Sequence, residues 1–591
     1  MFRRNGIFFL FMFALGYLCT QWEVMPYYLR DKGAKPYELS VPELFFDLFL
    51  LCGLLTLIPQ KVSRWVKALL YVILYGTALA DMFCYERFQS TLTPTMLMLV
   101  GETTGQETRE FITGYIDWQI LTSGVGWILL LMMVNVVAMA VFRWKVKGGR
   151  WKVKGERWKV KGAFLLPLIF LFLLSAIQCW DNKVATYRLF SCDTIGEVEH
   201  EQTRKGHAHL YLPVYRLAFA VYANRLASHQ LDQLLEASTQ VRVDSCSHRV
   251  PDIVLVIGES YNKHHAQLYG YGKPTTPRQQ ALADEGSLVA FSDVVAPWNL
   301  TSFVFKYMLS LYAVGDSGTW CDYPLFPEVF RRAGYRVTFV TNQFQSEAKE
   351  AVYDFSGGFF LNHPELSQRQ FDARNTRLYP YDDGVLREYD RLAGSRADSA
   401  NLVILHLMGS HMNYRSRYPQ KSRLYFTPAM YDRPELDGRQ KRILAEYDNS
   451  LRYNDSIVYA VTRRFADRDA VVIYMPDHGE EIFNGEPYVY GRLHSATVDY
   501  SLAHEEFEIP FWIWGSPRFV VSHPEEWKAI GQAKDRPMMT DVLPHLLLYL
   551  GGISTPLYRA EYNVLAPEYD MKRPRILKGE TDYDKLKIDN R

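Results

Sequence analysis

The 591 residues carry 66 Lys and Arg against 65 Asp and Glu. That balance, a formal net charge of +1, excludes bulk nucleic-acid binding, which needs a strong basic excess. The length allows several domains, and a 15% share of aromatic residues suits a large core together with membrane-interface belts.

Apolar runs crowd the first 180 residues, where five membrane helices are expected. They cover about Gly6 to Trp22, Leu44 to Pro59, Val66 to Cys84, Gly124 to Phe142 and Ala163 to Cys179. The first is not read as a cleavable signal peptide, because no small-residue cleavage site follows and further spans do. Arg3 and Arg4, the loop with Lys61, Arg64 and Lys67, and the loop RWKVKGGRWKVKGERWKVKG alternate with a loop carrying Glu102, Glu107 and Glu110. Under the positive-inside rule the basic loops are cytoplasmic and everything after Cys179 lies outside. The tandem RWKVKG repeat at Arg143, Arg150 and Arg157 is expected to fix topology rather than to anchor lipid headgroups. Asp47 and Asp81 fall inside apolar spans, either as functional carboxylates or as residues snorkelling at a helix end.

No CxxC pair is present, which argues against a cysteine zinc site. Cys192, Cys246 and Cys321 fall beyond the spans, where one disulfide could form whose pairing is not legible. Residues 181–248 read as a linker with amphipathic helices, such as LPVYRLAFAVYANRLASHQLDQLLEA. Such a helix suits the membrane surface or the face of the following domain, and both readings stay open.

From Val250 the pattern changes. PDIVLVIGES, YRVTFVTNQ, NLVILHLMGSH and DAVVIYMPDHGEE are short β-branched runs, and the helix-like PLFPEVFRRAG precedes the second. Strands alternating with helices predict an α/β domain over 249–560, with a mostly parallel central sheet covered by helices, and a tail over 561–591. Chemistry in such sheets gathers at the carboxyl ends of strands. Those ends carry Glu259, His411, Asp477 and His478. Glu259, Asp477 and His478 offer three zinc ligands of the right chemistry, with a hydroxyl expected as the fourth. The hydroxyl candidates are Thr301 and Ser302, in the first turn of a helix that Asn299 is expected to cap. A helix N-terminus and a metal both favour an anionic oxygen there.

At these residues the chain resembles the phosphoethanolamine transferases, membrane members of the alkaline phosphatase–sulfatase superfamily. GESYNKHHAQLYGYGKPTTPR is similar to the family's GES, LYGY and TTP motifs; GSHMNYRSRYP, YDNSLRYNDSIV and PDHGEE resemble its GSH, YDNS and DHGE segments. The resemblance covers the five-span architecture and nearly all of residues 250–550. It implies an alkaline-phosphatase-like fold in which Glu259, Thr301, Asp477 and His478 hold one catalytic Zn²⁺, with room for a second. It also implies that Thr301 is the nucleophile carrying a phosphoethanolamine intermediate, and that His411 contacts the transferred phosphate. The further family histidine maps to His494 in YGRLHSA, with His504 as the alternative because the spacing departs from the pattern. GETTGQETREF resembles the family's ET-x-x-x-E segment, which places Thr103 and Glu107 at the donor headgroup, although Leu99 stands where an asparagine is expected.

The resemblance implies transfer of phosphoethanolamine from phosphatidylethanolamine to lipid A or the lipopolysaccharide core. The setting would be a multi-pass protein of the bacterial inner membrane with a periplasmic catalytic domain and no nucleic-acid partner. One rival is a glycerol-phosphate transferase of teichoic-acid type. Another, a sulfatase proper, would want Cys or Ser in a C/S-x-P-x-R motif that TSFVF at 301–305 lacks. A third is a catalytically inactive membrane regulator, which the full set of candidate ligands argues against.

Overall fold

Apolar residues at three- and four-residue spacing shape the N-terminal part of the computed structural model. Phe8, Met12, Leu15 and Cys19 on α1 (Phe2–Asp31) face Leu44, Leu48, Cys52 and Leu55 on α2 (Ser40–Leu57). Tyr75, Ala78 and Met82 of α3 (Gln60–Phe88), with Val125 and Ile128 of α4 (Gly124–Lys147), complete that seam. On α5 (Gly162–Leu189), Phe172 stacks on Phe46 of α2 with ring centroids 5.0 Å apart. The opposite faces expose Leu54, Trp65, Val72, Met133, Phe170 and Ile177, an apolar exterior suited to lipid.

The structure describes all residues except 1, 32–36, 89–90, 93–117, 148–161, 205, 344–359, 394–399, 420–423, 486–487, 489, 493–497 and 591. The basic repeat beyond Lys147, the acidic loop with Thr103 and Glu107, and His494 therefore lie outside the described residues. Among the described residues, four helices are long and apolar enough to cross a membrane: Ser40–Leu57, Gln60–Glu86, Gly124–Phe142 and Pro167–Leu189. Four of the five expected spans coincide with these helices. The first expected span, about Gly6 to Trp22, lies within the single helix α1.

Asp47 and Asp81 both have partners. Lys183 donates to Asp47 Oδ2 at 2.8 Å, and the Tyr211 and Tyr215 hydroxyls reach the same oxygen at 2.6 and 2.8 Å. Asp81 is paired with Arg216 and accepts from the Leu92 backbone N–H at 2.8 Å. The buried Asp81 and half-buried Asp47, so neutralised, tie segments together, as the desolvation cost of a lone charge requires.

The chain divides into two compact units, one of Met1–Ser228 and one of most of the residues from His229 onward. The 181–248 stretch contains the helices Ile195–Thr203 and α6 (Pro213–Thr239). All seven cysteines are free thiols, so no disulfide joins Cys192, Cys246 or Cys321. Cys246 sits in a strand opposite Ile553, and the Cys321 sulfur donates to Gln233 Oε1 at 3.3 Å.

The second unit is built on a seven-stranded sheet, numbered here along the chain: β1 (Asp252–Gly258), β2 (Leu288–Phe291), β3 (Arg336–Thr341), β4 (Ala373–Arg374), β5 (Asn401–His406), β6 (Ala470–Pro476) and β7 (Phe511–Gly515). Their order is β2–β7–β6–β1–β5–β3–β4. The five strands from β6 to β4 are parallel, while β7 and β2 add an antiparallel edge. Both faces of β1 are buried, so its apolar run needs no alternation: Ile253, Leu255 and Ile257 enter one layer, Val254 and Val256 the other. The first layer includes α7 (Thr301–Leu309) and the helix Phe326–Arg332; the second includes the long helix α8 (Gly438–Phe465). β1, β5 and β6 thus end side by side, at Gly258, His406 and Pro476.

Candidate active site

The residue after β1 is Glu259, and the two after β6 are Asp477 and His478. All three side chains are fully buried and present ligand atoms within 4.8 Å of one another. His478 Nε2 lies 3.3 Å from Glu259 Oε1 and 3.2 Å from Asp477 Oδ2. Thr301 opens α7 and brings its hydroxyl to the same point, 3.0 Å from Glu259 Oε2 and 3.4 Å from His478 Nε2. Asn299 does not cap this helix. Leu300 holds the N-cap position, and the Asn299 amide donates to Glu506 Oε2 at 2.6 Å. Ser302, the other candidate hydroxyl, is also buried on α7.

Local backbone geometry makes this convergence possible. Gly409 has φ +51°, and a Cβ there would sit 2.7 Å from the Glu259 backbone nitrogen. A Cβ on Gly479 would meet the Glu505 carbonyl oxygen at 2.2 Å. The GSH and DHG glycines are therefore close-approach positions. Ser260, with φ +52°, holds a left-handed conformation that other residues favour far less than glycine does. Its backbone N–H donates to Asp477 Oδ1 at 3.3 Å, and its hydroxyl donates to Glu259 Oε1 at 2.6 Å.

Several groups orient this set. His478 Nδ1 meets the Gly479 carbonyl at 2.7 Å, which makes Nδ1 the protonated nitrogen and leaves the Nε2 lone pair on the side of Glu259 and Asp477. Gln343 Nε2 donates both to Glu259 Oε2 at 3.0 Å and to the Leu407 carbonyl at 2.8 Å. Asp382 accepts from the Met408 and Gly409 backbone N–H groups at 2.8 and 2.9 Å and so holds the loop after β5. That loop carries His411, which is close enough for its charge to act on Glu259. Arg492, mostly buried, donates to His478 Nε2 at 3.0 Å, and the Tyr414 hydroxyl donates to Glu480 Oε1 at 2.6 Å.

Burial and the charge of Glu259 push the Asp477 carboxyl well above its ordinary range. Burial, reinforced by Arg492, lowers His478, which keeps its imidazole neutral. Burial pushes Glu480 up to about 8. Two carboxylates cannot both ionise cheaply in so dry a place without a further cation. Asp477 Oδ2 is buried and accepts no hydrogen bond among the described residues. A neutral imidazole, two carboxylates and a hydroxyl form the donor set of a divalent zinc-class ion. The residues fit such a metal.

His504 falls outside this cluster and stacks on His264 instead. Gln343 and Arg492 were not singled out from the sequence. Gln343 sits two residues beyond β3, where the strand-end rule would have found it, and Arg492 is the lone cation in YGRLHSA.

Residues 251–553, just over half of the chain, match the Sulfatase family model. The chain belongs to the sulfatase family. Within that family it is 24% identical over 524 residues to phosphoethanolamine transferase EptC of Escherichia coli K12, covering 87% of this chain and 84% of that one. It is 28% identical over 306 residues to the Kdo(2)-lipid A phosphoethanolamine 7''-transferase of the same strain, covering 50% of each chain. Among solved structures, the C-terminal periplasmic domain of E. coli EptC matches with 26% identity and a TM-score of 0.50, over 59% of this chain and 97% of that one. Like those relatives by name, this sulfatase-family chain is a transferase in type: an α/β domain of that family preceded by membrane-competent helices.

Proposed function

We propose that the protein transfers phosphoethanolamine from phosphatidylethanolamine to a cell-envelope glycolipid, lipid A or the lipopolysaccharide core, through Thr301. The observation that carries this reading is the meeting of the Thr301 hydroxyl with Glu259 and His478 at the first turn of α7. The names of the relatives supply the transferred group and the acceptor class.

Glu259, Asp477, His478 and Thr301 would hold Zn²⁺, which when bound lowers the pKa of a coordinated hydroxyl and polarises a phosphoryl oxygen. The hydrogen bond to Glu259 orients the Thr301 hydroxyl, whose proton is released to solvent. Its Oγ1 attacks the donor phosphorus, a Thr301 O–P bond forms, and the bond from phosphorus to the diacylglycerol oxygen breaks. That oxygen takes up a proton and diacylglycerol leaves. The acceptor oxygen then attacks the phosphothreonine, gives up its proton and restores the threonine. The start of α7 points backbone N–H groups toward the developing charge, and His411, Arg492 and His494 add positive groups for the phosphoryl oxygens. Thr103 and Glu107 would receive the ethanolamine ammonium. The setting is the inner membrane of a bacterium, the catalytic unit in the periplasm, where membrane helices keep both lipids within reach.

The test is release of diacylglycerol from fluorescent phosphatidylethanolamine by the full chain in detergent. Turnover of phosphatidylglycerol instead would favour the glycerol-phosphate reading. Turnover of neither lipid by metal-loaded protein would favour an inactive regulator.

A further inference from the structure

A second group of metal-capable side chains lies in the same unit and shares no residue with the first. His264, in the turn after β1, His504, in α9 (Tyr500–Glu506), and Glu508 present ligand atoms within 4.8 Å of one another. His264 Nε2 is 3.4 Å from Glu508 Oε2, close to the ~3.3 Å edge of a tetrahedron with ~2.0 Å zinc bonds. The two imidazoles stack face to face, with centroids 3.6 Å apart and planes 6° apart. Two of the three ligands have an orienting partner on the far side. His504 Nδ1 meets Glu505 Oε1 at 2.8 Å, which leaves Nε2 as the ligand atom. Tyr583 donates to Glu508 Oε1 at 2.7 Å, which leaves Oε2. Carboxylate-backed histidine is the arrangement that metal sites use to set tautomer and basicity.

We propose that His264, His504 and Glu508 form a second binding site for a zinc-class divalent ion, separate from the Thr301 centre. The site is reachable from solvent, since His264 and His504 are each about one-third exposed. Ligation turns the rings out of their stack about χ2, a soft torsion, and replaces the contact between His264 Nε2 and the His504 carbonyl at 3.1 Å. Lys263 is the competing cation: its ammonium lies 3.7 Å from Glu508 Oε2, but it donates to the Ser292 carbonyl at 2.6 Å. An ion here would cross-link two segments that both grip the catalytic loop. Asn262 donates to the Glu480 carbonyl at 2.9 Å, and the Gly479 and Glu480 N–H groups donate to the Glu506 and Glu505 carbonyls at 2.8 and 3.0 Å. The ion would thereby hold the Asp477–Glu480 loop in place without touching substrate.

The test is a zinc count by mass spectrometry on the full chain in detergent, after dialysis against metal-free buffer, with zinc affinity measured by chelator competition. Wild type is expected to hold about two ions per chain, and His264→Ala and Asp477→Asn each about one. Glu505→Gln, which leaves all three ligands in place, is expected to weaken the second ion about 10- to 100-fold. Lys263→Met, which removes the competitor, is expected to tighten it. A count unchanged in His264→Ala while Asp477→Asn loses an ion overturns the second site and leaves the Thr301 reading standing. A count lowered only by His264→Ala supports the second site and removes the metal from the Thr301 reading.

Discussion

Thr301 Oγ1 donates to Glu259 Oε2 across 3.0 Å, joining the first turn of α7 to the carboxyl end of β1. The two residues are 42 positions apart, and their contact sets where a phosphorus atom would be attacked. Replacing Thr301 by Ala removes the hydroxyl proposed as the nucleophile and little other bulk. Headgroup transfer should fall about 1,000-fold or more, while Thr301→Ser, which keeps the hydroxyl, should retain measurable turnover. Thermal melts of both variants should stay close to wild type.

Gln343 braces Glu259 from a third strand end. Gln343→Ala should weaken zinc about 10- to 100-fold and reduce transfer, with excess zinc recovering much of it. A chelator titration with transfer as the readout checks this. Equal chelator sensitivity in wild type and variant would count against the role of Gln343.

Chelation should abolish transfer and stoichiometric zinc should restore it, because the Glu259 and Asp477 carboxylates are too deeply buried for both to ionise without a further cation. Magnesium, which prefers six oxygens, should restore little.

Gly409→Ala places a Cβ against the Glu259 backbone at a left-handed φ. A loss of about 1–3 kcal/mol in stability is expected, together with lost transfer, since the strain falls on the Glu259 segment itself. Denaturant melts of the variant measure the first effect, and lipid turnover the second.

His545 is buried on the helix Leu543–Gly551 and accepts the Arg559 N–H at Nδ1, 3.3 Å away. Burial, with Arg559 beside it, pushes its pKa down to about 3, from an unfolded value near 6.5. Below that unfolded value the unfolded chain binds the proton and the folded chain does not. Stability is therefore lost as pH falls from about 6.5 towards 3 and is fully present above. His545→Asn should flatten that part of the curve in melts recorded between those limits. An unchanged pH profile would show that His545 does not contribute to acid lability.

The candidate site was legible because β1 and β6 lead directly into its residues. Glu259, Asp477 and His478 directly follow buried runs whose identity a sequence displays, and period-free apolar stretches announce a doubly covered sheet. The antiparallel edge was less visible, since β7 is only the five residues FWIWG and β2 only LVAF. Asn299 reads as a cap locally, but Glu506, more than 200 positions on, takes its amide, and no local pattern reports such a partner. The partnership of Asp47 with Lys183, Tyr211 and Tyr215 is likewise non-local, so the sequence marked the carboxylate without revealing what neutralises it.

The most direct test of the account is intact-mass spectrometry of the zinc-loaded full chain incubated with phosphatidylethanolamine and no acceptor. A phosphoethanolamine adduct that maps to Thr301, is absent from Thr301→Ala and disappears when glycolipid is added is the expected result. Headgroup transfer that proceeds with no adduct, or that survives in Thr301→Ala, would contradict it.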